Sequence, residues 1–421
     1  MTQIAEHLSR AKEAVARCQS LALFTEDPPR IRRTFLSLPM RACHRQIEDW
    51  IRPLGMNVTV DAAGNLHGLY PGTNGTDCRL LIGSHLDTVP DAGAYDGILG
   101  VMLAISLVES LKGRRLPFAI EVIGFSEEEG VRFGVPFIGS RALVGRLDEE
   151  LQSRRDSNSV SVQEAIQSYG LKPSEILAAT LREGVLGYLE FHIEQGPVLE
   201  HRELPLGVVE AIAGQTRMEF IFTGVANHAG TTPMALRRDA LVAAAEWALA
   251  VEREAREISG LVATVGALEA KPGATNVIAG ECRATLDVRH ESDATRTRSV
   301  SAFLRSATEI AKCRDISLTS STKLAQPATP MDSFLVREID AAVSQGGIKS
   351  HRMVSGAGHD AMILAERVPS AMIFLRSPGG ISHNPKESVL VEDVAKAIEC
   401  GLHLLNQLAI SPEFQSRAHR A

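Results

Sequence analysis

Five short segments hold most of the residues in this chain that could do chemistry: GSHLDTVPDAGAYDG, FSEEEG, FHIEQGP, NHAGTTPM and GGISHNPKE. In the first, His85 and Asp87 are two positions apart after an apolar run, so an extended path points both to one side. Asp96 follows across a loop containing Pro90 and Gly93. The second segment ends another apolar run with Glu127, Glu128 and Glu129. Neighbouring carboxylates repel unless positive charge lies between them, and divalent cations would supply it. Histidines and carboxylates arriving from separate strand ends suit zinc or manganese. His85, Asp96, Glu129, His192 and His383 would be the ligands. Asp96, with two oxygens, could bridge a metal pair about 3.5–4 Å apart. Asp87 would accept the other ring N–H of His85 and fix its tautomer.

Each signal is weak alone. Most of the thirteen histidines are expected to be surface or core residues; His7, His44, His67, His201, His290, His351, His403 and His419 are assigned no metal role. A tri-glutamate run is usually a solvated face. The joint occurrence carries the weight.

These residues need elements to position them. His44–Leu54 reads as a helix ending at Gly55, and Asn57–Val60 and Leu66–Tyr70 as strands. Leu80–Gly83 and Phe118–Phe125 read as buried strands around an apolar helix, Gly97–Leu111. Strand, helix, strand implies a sheet with helices on its faces, whose carboxyl ends carry the polar clusters. From Ala211 the rhythm changes. Arg217–Gly224, Leu236–Ile258, Leu261–Leu268, Ala284–Val288, Ala294–Ala311 and Ile316–Thr322 give β-α-β-β-α-β, the ferredoxin-like order. The α/β pattern resumes after Pro327, with a strand at Ala371–Leu375 and a helix from Val391 to about Leu408; Arg154–Ser159 reads as a surface loop. The expectation is a catalytic domain from residues 1–210 and 327–421 with a domain of residues 211–326 inserted into it.

Composition narrows the classes. The 421 residues, 44% hydrophobic and 23% charged with net charge −7, describe an ordinary globular protein without the basic stripe of a nucleic-acid binder. Six scattered cysteines without a CxxC pair point to reduced thiols and a cytoplasmic setting. The first residues, MTQIAEHLSRAKEAV, are polar and amphipathic, unlike a secretory signal. The longest apolar runs, such as Val101–Val108, fall short of the roughly 20 residues that span a bilayer.

At these motifs the sequence resembles the dinuclear-metal aminoacylase and carboxypeptidase superfamily, in its amidase, hydantoinase and carbamoylase branch. GSHLDTVP with DGILGV, EEEGVRF, HIEQGPVLE, GQTR, HAGTTPM, NVIAG, SGAGHDAM and GISHNP occur in family order, from about Arg32 to the last helix. The resemblance implies an α/β fold: a zinc-peptidase-like catalytic domain, helices on both faces of a mixed sheet, with an inserted ferredoxin-like lid and dimerisation domain. It implies two divalent ions, zinc or manganese with cobalt or nickel possible, one on His85, Asp96 and His192 and the other on Asp96, Glu129 and His383. Glu128 matches the general base, and His228 a lid histidine that polarises the scissile carbonyl, reaching a partner subunit's site in relatives. Arg289 matches the carboxylate-binding arginine; Gln195, Asn276 and Gly358 match substrate contacts; His359 is expected to be structural. A homodimer through the lid follows, hinged at Ala213–Gln215 and Leu324–Pro327.

The implied reaction is hydrolysis of a ureido carbon–nitrogen bond in a small carboxylate. Allantoate comes first, favoured by RIRRTFLS, GQTR and MIFLRSPGGISHNP, then N-carbamoyl-L-amino acids, then beta-ureidopropionate. Arg376 is either an extra substrate cation or a salt-bridged strand end. An aminoacylase or dipeptidase is disfavoured by His192, where peptidase relatives commonly place an acid. A binding protein that has lost its chemistry is disfavoured by the intact Glu128 and ligand set.

Overall fold

A computed structural model of the chain describes residues 3–73 and 78–417, so Met1, Thr2 and His419 lie outside the described residues. The chain forms two compact units: Met1–Glu210 with Met331–Met353 and Gly358–Ala421, and Ala211–Pro330 with Val354–Ala357.

In chain order the strands are β1 (Asn57–Val60), β2 (Leu66–Tyr70), β3 (Arg79–His85), β4 (Ala119–Phe125), β5 (Val185–Ile193), β6 (Leu206–Ile212), β7 (Gly214–Thr223), β8 (Val262–Lys271), β9 (Glu281–His290), β10 (Ser317–Gln326), β11 (Thr329–Pro330), β12 (Arg352–Ser355) and β13 (Ser370–Leu375). The sheet of the first unit runs β1-β2-β4-β3-β5-β13-β6. Its centre, β4-β3-β5-β13, is parallel, and β1, β2 and β6 join antiparallel at the sides. All nine residues of β5 are buried, which requires cover on both faces and explains the absence of apolar–polar alternation. The helix Ile98–Ser110 packs against β3 and β5 and is buried everywhere except its last residue.

Local sequence sets the ends of these elements. The expected helix at His44 begins earlier, at Leu38, because the Ser37 side chain caps it by accepting from the Met40 N–H. It closes in a short 3₁₀ turn at Gly55, whose φ of +76° suits glycine. β5 was not legible as a strand: VLGYLEFHI contains a glycine, an acid and a histidine. Its Glu190 is buried because Ser84 Oγ and the Ala361 N–H both donate to it, each at 2.9 Å.

In the second unit β10-β7-β9-β8 form an antiparallel sheet. Helices Ala240–Glu257 and Asp293–Cys313 complete the β-α-β-β-α-β order expected from the sequence. β9 alternates strictly between buried and half-buried residues. The buried set, with Phe220, Phe222, Trp247 and Phe303, forms one core, and Trp247 Nε1–H donates to the Phe303 carbonyl at 2.9 Å. The first of these helices starts at Ala240 rather than Leu236, because Asp239 caps the Leu241 and Val242 N–H groups. Leu236 instead sits in an exposed turn.

This unit extends past residue 326 for visible reasons. Thr329 and Pro330 pair with Ile212 and Ala211, and the Ala328 N–H donates to Asp293 Oδ1. Val354–Ala357 belong to it as well, with the Ser355 carbonyl accepting from the Ala213 N–H at 2.8 Å. Among the described residues no helix is long and apolar enough to cross a membrane.

Candidate metal centre and active site

Four parallel strands bring their carboxyl ends together in the first unit, and each end delivers polar residues. His85 is the last residue of β3, the three glutamates follow β4, His192 lies near the end of β5, and the loop after β13 carries His383. Two donor sets result, His85–Asp96–His192 and Asp96–Glu129–His383, each with ligand atoms within 4.8 Å of one another. Asp96 is common to both.

The donors face a shared point. His192 Nε2 lies 3.2 Å from Asp96 Oδ1, and His85 Nε2 lies 3.7 Å from it. His383 Nε2 is 3.2 Å from both Asp96 Oδ2 and Glu129 Oε1. Backbone carbonyls set the tautomers: His85 Nδ1 is 3.0 Å from the Asp87 carbonyl and His192 Nδ1 is 2.9 Å from that of Ile193. Protons on those Nδ1 atoms leave both Nε2 lone pairs converging only 3.5 Å apart. Buried Asp96 Oδ1 has no hydrogen-bond partner among the described residues. Facing lone pairs beside an orphaned carboxylate oxygen are a chemical fit for a cation.

The surplus of carboxylates favours positive charge at this point. Hydrogen bonds that His383 donates to Asp96 and then Glu129 raise its pKa to about 10. Burial opposes the charged form of His85, but Asp87 and Asp96 outweigh it and raise its pKa well above the usual value. Burial first, then Glu129, pushes Glu128 well above the usual carboxylate range.

Asp87 acts differently from expectation. Its backbone carbonyl is the closer partner of His85; its carboxylate lies 3.5 Å from His85 Nδ1. The two carboxylate oxygens accept the Glu128 and Glu129 N–H groups at 2.9 and 3.1 Å, so this side chain holds the glutamates in register. Gln195 Nε2 donates to Asp96 Oδ2 at 2.9 Å, and Ser382 Oγ does so at the same distance. Gln195 and His383 both have positive φ, 58° and 53°, backbone strain of the kind that gathers at functional sites. Gly97 is required behind Asp96: at φ +71°, a Cβ there would come within 2.5 Å of the His85 ring.

Two contributors were not singled out in the sequence. Buried Glu387 accepts the Tyr95 and Asp96 N–H groups at 2.9 and 3.1 Å, and Ser382 links Asp96 to the same glutamate. The available signal was the acid four positions after His383. His359 is buried with its ring 4.5 Å from that of His192. At Gly358 a side chain would meet the Phe137 ring at 2.9 Å. Arg376 forms a bidentate pair with Asp393 at 2.8 Å on both arms, the salt-bridged strand end of the two readings given above.

The second unit holds His228, Asn276 and Arg289. His228 is exposed, and its Nδ1 accepts the Gly230 and Thr231 N–H groups at 3.0 and 3.2 Å. The ring proton therefore belongs on Nε2, which leaves a donor directed away from its own loop. His228 bridges Val277, and the Ala229 N–H donates to the Asn276 carbonyl, so the two segments run side by side. Arg289 Nε and Nη2 both bond Asp287 at 2.9 Å, and its Nη1 bonds the Gly356 carbonyl.

The chain is 40% identical over 430 residues to a probable allantoate deiminase of Oryza sativa subsp. japonica, covering 94% of this chain and 87% of that one. It is 40% identical over 367 residues to the N-carbamoyl-L-amino acid amidohydrolase of Geobacillus stearothermophilus, covering 86% and 90%. The crystal structure of an amidase of the hydantoinase/carbamoylase family from Burkholderia multivorans superposes with a TM-score of 0.90 at 31% identity, over 96% of this chain and 98% of that one. The family model for peptidase family M20/M25/M40 matches residues 81–407, and the chain belongs to that family, in its hydantoinase/carbamoylase amidase branch.

Proposed function

We propose that this amidohydrolase uses two divalent ions to hydrolyse a ureido carbon–nitrogen bond of allantoate, with ammonia and carbon dioxide as the small products. The observation that carries the reading is the pair of donor sets sharing Asp96, with Glu128 beside Glu129. His85, Asp96 and His192 would hold one ion; Asp96, Glu129 and His383 would hold the other. Zinc and manganese suit this donor set, as do cobalt and nickel. When bound, such ions polarise a carbonyl and acidify water.

Glu128 takes the proton of the attacking water and returns it to the departing nitrogen as the carbon–nitrogen bond breaks. His228, with Nε2–H as donor, stabilises charge developing on the carbonyl oxygen. Arg289 binds the substrate carboxylate, while Gln195, Asn276 and the main chain at Gly358 contact the remaining polar atoms.

The second unit serves as lid and dimerisation domain of a homodimer. Its edge strand β8 is exposed along much of its length, and Val262, Leu268, Leu241, Val242 and Leu249 are apolar side chains left at the surface of the same unit. An unpaired edge of this kind is suited to a second copy. Unpaired cysteines favour the cytoplasm.

N-carbamoyl-L-amino acids are the second reading, favoured by the equal identity to the Geobacillus enzyme. Ammonia release by manganese- or zinc-loaded protein separates the two, comparing allantoate, N-carbamoyl-L-amino acids and beta-ureidopropionate. Turnover of N-acyl amino acids or dipeptides with inert ureido compounds would overturn the proposal.

A further inference from the structure

Arg289 is not a solitary cation. Asp287, two residues before it on β9, spans Arg289 Nε and Nη2 at 2.9 Å on each arm. Asp287 also accepts from Arg217 Nε at 3.0 Å, because Arg217 on β7 is its direct register partner across the sheet. Burial alone would raise the Asp287 carboxyl, but Arg289 and Arg217 outweigh it and hold the group below its usual value, so it is charged. On β8 the residues opposite Arg289 and Asp287 are Val262 and Thr264, which bring no charge.

The arithmetic of this cluster matters for a carboxylate ligand. Arg289 with Asp287 alone is electrically neutral, a poor lure for an anion. Arg217 makes the cluster one positive charge overall. A guanidinium has five N–H donors. Three of those on Arg289 serve Asp287 and the Gly356 carbonyl, which leaves two, one on each terminal nitrogen, the number a carboxylate takes. Asp287 fixes the plane of that fork and Arg217 restores the charge that Asp287 cancels.

From this we infer that Arg217 is a specificity-determining residue: with Asp287 it makes Arg289 a net-positive, oriented receptor for the carboxylate of the substrate. The inference rests on the carboxylate role given to Arg289 above. The competing account of Arg217 is an ordinary cross-strand ion pair, whose loss affects stability and not substrate choice. Arg217 is half exposed, so its influence is long-range charge rather than a desolvated contact, and salt should weaken it.

Steady-state kinetics of the metal-loaded full chain with allantoate and with its neutral primary amide test this. Arg217→Gln is expected to raise KM for allantoate roughly threefold to tenfold, as befits an exposed charge, with kcat within about twofold. KM for the amide stays at the wild-type value. Arg217→Lys restores the charge and with it KM, and the Gln defect narrows as ionic strength rises from about 0.05 to about 0.5 M. Arg217→Met serves if the Gln variant folds poorly. An unchanged KM for allantoate, or an equal rise for the amide, overturns the inference. Arg289→Ala separates the two levels: if it raises KM for allantoate while Arg217→Gln does not, only the role of Arg217 falls; if it leaves KM unchanged, the carboxylate reading itself falls.

Discussion

Replacing Glu387 by alanine should weaken metal binding without touching a ligand. Its carboxylate accepts the Tyr95 and Asp96 N–H groups at 2.9 and 3.1 Å and lies within reach of Ser382 Oγ. A hydrogen bond to a charged acceptor contributes about 1.5–3 kcal/mol, and a buried N–H left without one costs a similar amount. Two such bonds give an upper bound of about 3–6 kcal/mol, most of it felt as lost stability of the Asp96 loop. The share reaching the metals is set by how far Asp96 drifts; lost outer support of a ligand typically costs 10- to 100-fold in affinity, or about 1.4–2.8 kcal/mol. Glu387→Gln keeps an acceptor oxygen and should lose less than about tenfold. Gly93→Ala offers an independent perturbation, because a Cβ there would come within 2.3 Å of the Glu387 Cβ. Calorimetric titration of metal-free protein with zinc or manganese reads the effect, and circular dichroism checks the fold. Wild-type affinity in a folded Glu387→Ala protein would refute the reasoning.

Glu128→Gln should bind metals normally and lose about 10²- to 10⁴-fold in kcat, as expected for a removed acid–base group; near-normal turnover would remove Glu128 from that role. His67 lies 2.8 Å from Glu121 and 3.2 Å from Asp61. Burial opposes its charge, but the two acids outweigh burial and raise its pKa to about 10. The folded value exceeds the unfolded value of about 6.5, so the stability it contributes is complete below that pH and is lost as pH rises through about 10. Urea unfolding of His67→Gln should therefore show a flatter decline over that alkaline interval than wild type, and an unchanged slope would contradict the assignment. Trp247→Ala, deep in the core of the second unit, should cost about 3–5 kcal/mol by chemical denaturation, and a loss under about 1 kcal/mol would show that this core is not packed as described.

Much of this arrangement is visible in the residues because the relevant patterns are local. Apolar runs that end in SHLD and SEEEG are β3 and β4, and their strand ends meet because parallel strands gather their carboxyl ends on one side of a sheet. The alternation in β9 and the spacing of the alanine-rich helix disclose the second unit. β5 escapes notice because it is buried on both faces and carries Glu190 in its middle, which a periodicity argument reads as a break. Glu387 escapes because it acts on backbone N–H groups some 290 residues earlier in the chain, partners that its place four positions after His383 does not reveal. The same is true of Asp287, whose importance depends on a cross-strand register. Val354–Ala357 belongs to the second unit through pairing with Ala213 and Arg289, a return that no local composition announces.

Metal stoichiometry of the purified chain and of its Asp96→Ala and His383→Ala variants, measured by elemental analysis after metal reconstitution and desalting, tests the shared-carboxylate centre most directly. Two ions in the wild type, about one in His383→Ala and close to none in Asp96→Ala is the expected series. Full occupancy in folded Asp96→Ala protein, or a wild type that holds no ion at all, would contradict it.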